Sequence, residues 1–182
     1  MRLTDYIDHW TPERLVTWDE DLLAATRLPV TARVFLRDVG LPAPGRRIYL
    51  WELEWVGRLP VSSHDPTLRV IASNHGKPCF HLNEAFDGLV CRLDFGQESS
   101  GAVPVNSSIE QFAFSLTEAD KRRGLLYDDP DYGEKVARFE RDLWAIDPMM
   151  MVVDASMWPN EIFDWRLEGD VQPNPVTIFP GH

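Results

Sequence analysis

The sequence predicts an α+β fold, a single domain with helices at both ends and a largely antiparallel sheet between them. Three observations carry this. Apolar residues recur at helical spacing up to Gly40, alternate with a period of two between Arg47 and Phe95, and return to helical spacing after Ser107. With 182 residues, 44% of them hydrophobic and 11% aromatic, including seven Trp, the chain is long and apolar enough to bury a core. No repeat or linker divides it, so one domain over 1–182 is expected, with a core over about 12–168 and a Pro-rich tail over 170–182.

Thr11 is expected to cap a helix with Pro12 in its first position, and Leu15, Trp18, Leu22 and Leu23 extend it over about residues 12 to 26. Val30, Val34, Phe35 and Val39 mark a second helix closed by Gly40 in the left-handed region. The stretch Ile48 to Val56 places Tyr49, Trp51, Leu53 and Trp55 on one parity and Glu52 and Glu54 on the other, a strand with one buried and one wetter face. Leu68 to Ser73, Cys79 to Asn83 and Leu89 to Phe95 read as further strands. The turns between them fall at Asn74 to Pro78 and at Asp87-Gly88.

Val103-Pro104-Val105 reads as an edge strand, where a proline is tolerated. Ser107 and Glu110 have capping-box spacing before a helix carrying Phe112, Leu116 and Ala119 on one face. After a loop from Tyr127 to Tyr132, residues Gly133 to Ile146 form a helix with Val136, Phe139, Leu143 and Trp144 on one stripe. Met149 to Val153 reads as a strand or buried connector, and Ser156 as the cap of a last helix ending at Glu168.

Charge and cysteine usage exclude several function classes. The net charge of −11 repels phosphate backbones, so direct nucleic-acid binding is not expected; a basic partner would be attracted instead, or the charge serves solubility alone. No apolar run reaches membrane-spanning length, the N-terminus is not that of a signal peptide, and two cysteines make no disulfide framework. A cytoplasmic protein is expected, with no membrane partner, and a monomer is favoured.

Catalytic and metal signatures are weak. His75, Cys79, His81 and Cys91 lie close in sequence but lack the tight pairs of zinc sites, and the cysteines read as small buried hydrophobes. No nucleophile elbow or phosphate-binding glycine loop is present, and helix initiation accounts for Ser107 and Ser108. Pro130 breaks any calcium-loop reading of Asp128 to Asp131. No cofactor and no catalytic residue is expected; an enzyme using His75, Cys79 and His81 remains the minor alternative.

Protein binding has more to stand on. Aromatic and acidic residues meet in Tyr127, Asp128, Asp129, Asp131 and Tyr132, and Glu52 and Glu54 line the wetter face of the first strand. Such combinations suit a basic partner, although a solvated turn explains the loop as simply, and core packing is the better explanation of Trp51 and Trp55. Glu52, Glu54, Tyr127, Asp128, Asp129, Asp131 and Tyr132 are the candidate contact residues.

The segment Val105-Asn106-Ser107-Ser108-Ile109-Glu110-Gln111-Phe112 resembles the "VNSSLEQF" block of the SUKH superfamily of bacterial immunity proteins, specifically its fourth subgroup. In the same order, Phe35 to Pro42 resembles the family's helix ending in "GLP". Leu68 to Gly76 resembles its strand and glycine turn, and Cys79 to Asp94 its central ladder. Asp147-Pro148 and Met157-Trp158-Pro159 resemble its C-terminal helical region. Asn74-His75-Gly76 departs from the glycine-rich turn, and Cys91-Arg92-Leu93-Asp94 from the ladder's pattern. The resemblance implies a curved antiparallel sheet packed against N- and C-terminal helices. It also implies an antidote that neutralises a cognate secreted toxin, often a nuclease or nucleic-acid deaminase, by tight binding without catalysis. Some relatives are general interaction modules, which leaves a scaffold role as the alternative.

Overall fold

A computed structural model describes residues 1–43, 53–93, 101–122 and 129–168. Among these, seven helices and seven strands are found, and the strands of the main sheet follow one another between N- and C-terminal groups of helices, as the α+β reading requires. Five strands form one antiparallel meander: β3 (Leu53–Trp55), β4 (Leu68–Asn74), β5 (Lys77–Asn83), β6 (Leu89–Arg92) and β7 (Val103–Asn106), side by side in that order. Most of the first expected strand, including Trp51 and Glu52, lies outside the described residues.

The β4–β5 hairpin turns on His75 and Gly76, with φ of 50° and 73°, so both central residues are left-handed and the two-residue connection matches the strand twist. The ladder pairs Asn74 with Lys77, so both strands run further into the expected turn than their sequence suggests. Pro104 sits in β7, at the end of the strand order, where its missing amide costs no second ladder.

The N-terminal region departs from the expectation. In place of one helix over residues 12 to 26 there are α1 (Leu3–Trp10), a 3-10 turn at Pro12–Arg14, the short strand β1 (Leu15–Val16) and α2 (Glu20–Ala24). Thr11 has φ of 61° and makes no side-chain cap. The branched pair Val16-Thr17 and the bulky Trp18 favour extended backbone, and β1 pairs with β2 (Leu41–Pro42). Asp19 starts α2 afresh, its carboxylate accepting from the Asp21 amide at 2.8 Å. The spacing Leu3, Tyr6, Ile7 and Trp10 was the available signal for α1, which buries Tyr6 and Trp10.

Helix α3 (Val30–Asp38) forms as expected, but Ala32, Phe35 and Leu36 face the core while Val30 and Val34 are exposed. It ends at Gly40, whose φ is +83° and where a Cβ would lie 2.2 Å from the Val16 carbonyl oxygen. No side chain fits there.

Helix α4 (Ile109–Lys121) crosses the middle of the molecule and is buried nearly all round from Ile109 to Asp120. Phe112 meets Phe80 of β5 with ring centroids 5.0 Å apart, which seats the helix on the sheet. Helix α1 closes over it: Trp10 Nε1 donates to Thr117 Oγ1 at 2.8 Å, and His9 Nε2 lies 3.0 Å from Asp120 Oδ2. On the other side stand α5 (Tyr132–Ile146) and α7 (Met157–Glu168), with Phe139 stacked on Trp165 at 5.1 Å. Val136, Phe139 and Leu143 are buried as the stripe predicts, while Trp144 is half-buried.

Met149 to Val153 is neither strand nor wholly buried connector. Pro148–Met151 forms one helical turn, α6, because Pro148 suits the first position and Asp147 caps it; only Met151 is buried. Ser156 precedes α7, but its hydroxyl is buried with no hydrogen-bond partner, so it does not cap by side chain.

Candidate protein-binding surface

The block that stood out in the sequence is folded inward. Val105 is fully buried at the end of β7, and Asn106 beside it is a fully buried hub. Its amide nitrogen donates to Ser115 Oγ of α4 at 3.1 Å and to Asp147 Oδ2 at 3.2 Å, and its oxygen accepts from Trp158 Nε1 of α7 at 3.0 Å. Asp147 in turn accepts from the Ser107 amide at 2.7 Å, the Ser107 hydroxyl at 2.9 Å and the Met150 amide at 3.3 Å. The helix cap is therefore Ser108, accepting from the Gln111 amide at 3.2 Å, and not Ser107, which is committed to Asp147. Gln111 reaches the Ile146 carbonyl at 3.2 Å. Of the eight residues Glu110 alone is exposed, with Ser107, Ser108 and Gln111 half-buried and the rest buried. The block clamps β7, α4, α6 and α7 together, a structural job that its polar residue types did not disclose.

The residues considered for metal or nucleophilic chemistry are dispersed. His75 is exposed at the hairpin turn, whereas Cys79, His81 and Cys91 are buried. Alternation with Phe80 and Leu82 sends His81 to the sheet face away from α4, between Val70 of β4 and Cys91 of β6. Burial pushes both thiols up to about 12 and holds the His81 imidazole down to about 4. These are inert thiols and a neutral ring, and both His81 ring nitrogens lack a hydrogen-bond partner. Among the described residues, no group of three or more His, Cys, Asp or Glu is placed to hold a metal ion.

The expected contact residues fall in two separate regions. Glu54 is exposed on β3, whose neighbours are β4 and the N-terminal segment, where Trp18 Nε1 donates to the Val56 carbonyl at 3.3 Å. Asp129, Asp131 and Tyr132 belong to the start of α5, which packs on α4 and α7. Glu52, Tyr127 and Asp128 lie outside the described residues. Asp129 shapes its own turn: it accepts from the Asp131 amide at 3.0 Å, and the Lys135 ammonium beside it holds its carboxyl below the usual range. Asp131 is exposed. Tyr132 is buried, its hydroxyl donating to the Trp165 carbonyl at 3.1 Å, so it anchors α5 to α7 and is not free to meet a partner.

Two exposed apolar faces were not legible beforehand. One joins Phe86 (69% exposed) at the β5–β6 turn to Val30 and Val34 of α3, since Gly88 abuts Pro29 and Ala32. The other is the outward side of α7, Phe163 (58% exposed) and Leu167 (65% exposed), with Met149 and Val152 on the neighbouring α6 segment. Contiguous exposed apolar residues mark interaction sites, and aromatic residues and methionine are enriched in protein interfaces.

No described helix is long and apolar enough to cross a membrane. No curated protein and no solved structure matches the chain. A family model described as SUKH-4 immunity protein matches residues 7–164, from within α1 to the outward face of α7, and so takes in every element of the clamp around Asn106. By that match the chain belongs to the SUKH-4 immunity protein family.

Proposed function

We propose that this chain is the cytoplasmic antidote of a secreted bacterial toxin, binding the toxin domain and blocking it by contact alone. Membership of the SUKH-4 immunity protein family over residues 7–164 carries the proposal. The toxin is a basic protein, and enzymes that act on nucleic acids, nucleases or deaminases, meet that description because they must hold a polyanion. An antidote of net charge −11 competes for the same field and gains association rate from it. Glu52, Glu54, Asp128 and Asp131 contribute steering charge to this encounter, with Tyr127 as a neighbouring contact.

Co-expression with the toxin domain encoded beside this gene tests the proposal. Cells are expected to survive, and the two proteins to co-elute on gel filtration as a complex that weakens with added salt. Death of the cells with no complex recovered would overturn it.

A further inference from the structure

We infer that the toxin docks on the outward face of α6 and α7, and that the part it presents there is an amphipathic segment bearing lysine or arginine. The inference rests on the antidote reading above and names its surface. A helix packed against a core normally turns polar residues outward. Helix α7 does not: Met157, Trp158, Ile162 and Trp165 point in, while Phe163 and Leu167, one turn apart, point out. The helix is held firmly by the Trp158 bond to Asn106, the Tyr132 bond to the Trp165 carbonyl and the Arg166 pair with Glu140. A partner therefore meets a pre-organised surface and loses little ordering free energy on binding it.

The rim is acidic. Asp164 lies between the two apolar residues in sequence and is exposed. Asn160, on the same side of the helix, donates to the Ser156 carbonyl at 2.8 Å and the Asp154 carbonyl at 3.5 Å, which sets exposed Asp154 at the head of the face. The Tyr132 anchor brings the Asp131 turn to the C-terminal half of α7. Of the described carboxylates on this side, Asp142 pairs with Arg122, Glu161 pairs with Arg92 and Asp147 is buried, so Asp154 and Asp164 supply the exposed negative charge, while Arg166 is buried against Glu140. The face thus offers apolar anchors beside the exposed carboxylates of Asp154 and Asp164, the complement of a basic amphipathic segment. A second copy of this chain would set acid against acid. The rival face around Phe86 is mixed in sign, with Arg33 and Arg37 on α3 against Asp38 of the same helix and Glu84 and Asp87 at the β5–β6 turn, and so suits a basic partner less well.

The test measures binding of the full chain to a catalytically inactive form of the neighbouring toxin domain by surface plasmon resonance. Phe163→Ala with Leu167→Ala is expected to weaken binding roughly 30-fold or more, mainly through faster dissociation. Asp154→Lys with Asp164→Lys is expected to slow association about tenfold and flatten its salt dependence. Phe86→Ala should stay within about twofold of the parent. All four altered α6–α7 positions are exposed, so circular dichroism and Tm should match the parent and separate lost binding from lost folding. If the parent binds and both pairs bind as it does, the docking face lies elsewhere and the antidote reading stands. If the parent does not bind the domain, that reading fails and the face falls with it. A dimer of the parent abolished by Phe163→Ala with Leu167→Ala would assign the face to a second copy and overturn the inference.

Discussion

Replacing Asp147 by Ala is expected to destabilise the fold by about 3–5 kcal/mol, which follows from what its carboxylate holds. The residue is 2% exposed and accepts four hydrogen bonds, from the Ser107 and Met150 amides, the Ser107 hydroxyl and the Asn106 side chain. Loss of the α6 cap contributes about 1 kcal/mol. The stranded donors around Asn106 and Ser107 contribute about 1–3 kcal/mol each, partly recovered by water entering the vacated space. Asp147→Asn retains the shape and one accepting oxygen but turns an amide nitrogen toward a donor, so about 1–2 kcal/mol is expected. Urea unfolding followed by tryptophan fluorescence measures both, with an unchanged m-value as the sign that the native state alone is affected. Expressed thermally, Asp147→Ala should lower Tm by on the order of 10 °C. If Asp147→Ala lies within about 1 kcal/mol of the parent, the block Val105 to Phe112 is not the clamp described and its polar residues serve something else.

Three further outcomes are expected. Burial holds the folded His81 imidazole at about 4, while the unfolded chain protonates near the ordinary value of about 6.5. The unfolded state therefore binds the proton first, and stability present above pH 6.5 is lost as pH falls toward 4, by about 3 kcal/mol in all. His81→Leu should remove that component, so its loss of stability between pH 7 and pH 4.5 should be about 2 kcal/mol smaller than the parent's; equal losses by urea titration would contradict the buried neutral ring. Gly40→Ala should cost about 3 kcal/mol or more, since the new Cβ is both left-handed and 2.2 Å from a backbone oxygen, and a Tm within a degree or two of the parent would refute the close approach of β1 to this residue. Asp128→Lys with Asp131→Lys should slow association with the toxin domain and weaken its salt dependence, as read by stopped-flow mixing at two ionic strengths; unchanged rates would remove this turn from the encounter surface.

Much of the architecture could be read from the residues because hydrophobic period and turn chemistry agreed. His75-Gly76 and Asp87-Gly88 mark the hairpins, Val136 to Leu143 marks α5, and Pro104 marks an edge. The misses arose where a tertiary contact outweighed local pattern. Leu15 to Leu23 carries helical spacing, yet pairing of β1 with β2 and the Asp19 cap divide it. Ser107 looked like a cap because sequence spacing cannot show that Asp147 takes its amide and hydroxyl from 40 residues away. The candidate surface was least legible. Tyr132 reads as an exposed loop aromatic until its partner on α7 is known, and the spacing along the last helix does not distinguish Phe163 and Leu167, which are exposed, from Ile162 and Trp165, which are buried. An exposed apolar face is defined by what does not cover it, and spacing alone is silent on that.

The central claim, that this SUKH-4 family member is an antidote acting by contact, is tested most directly by the activity of the neighbouring toxin domain titrated with this chain. Activity is expected to fall to zero at a fixed molar ratio, with a complex isolable at that point and dissociable by salt. Undiminished toxin activity at a large excess of this protein, with no complex formed, would contradict it.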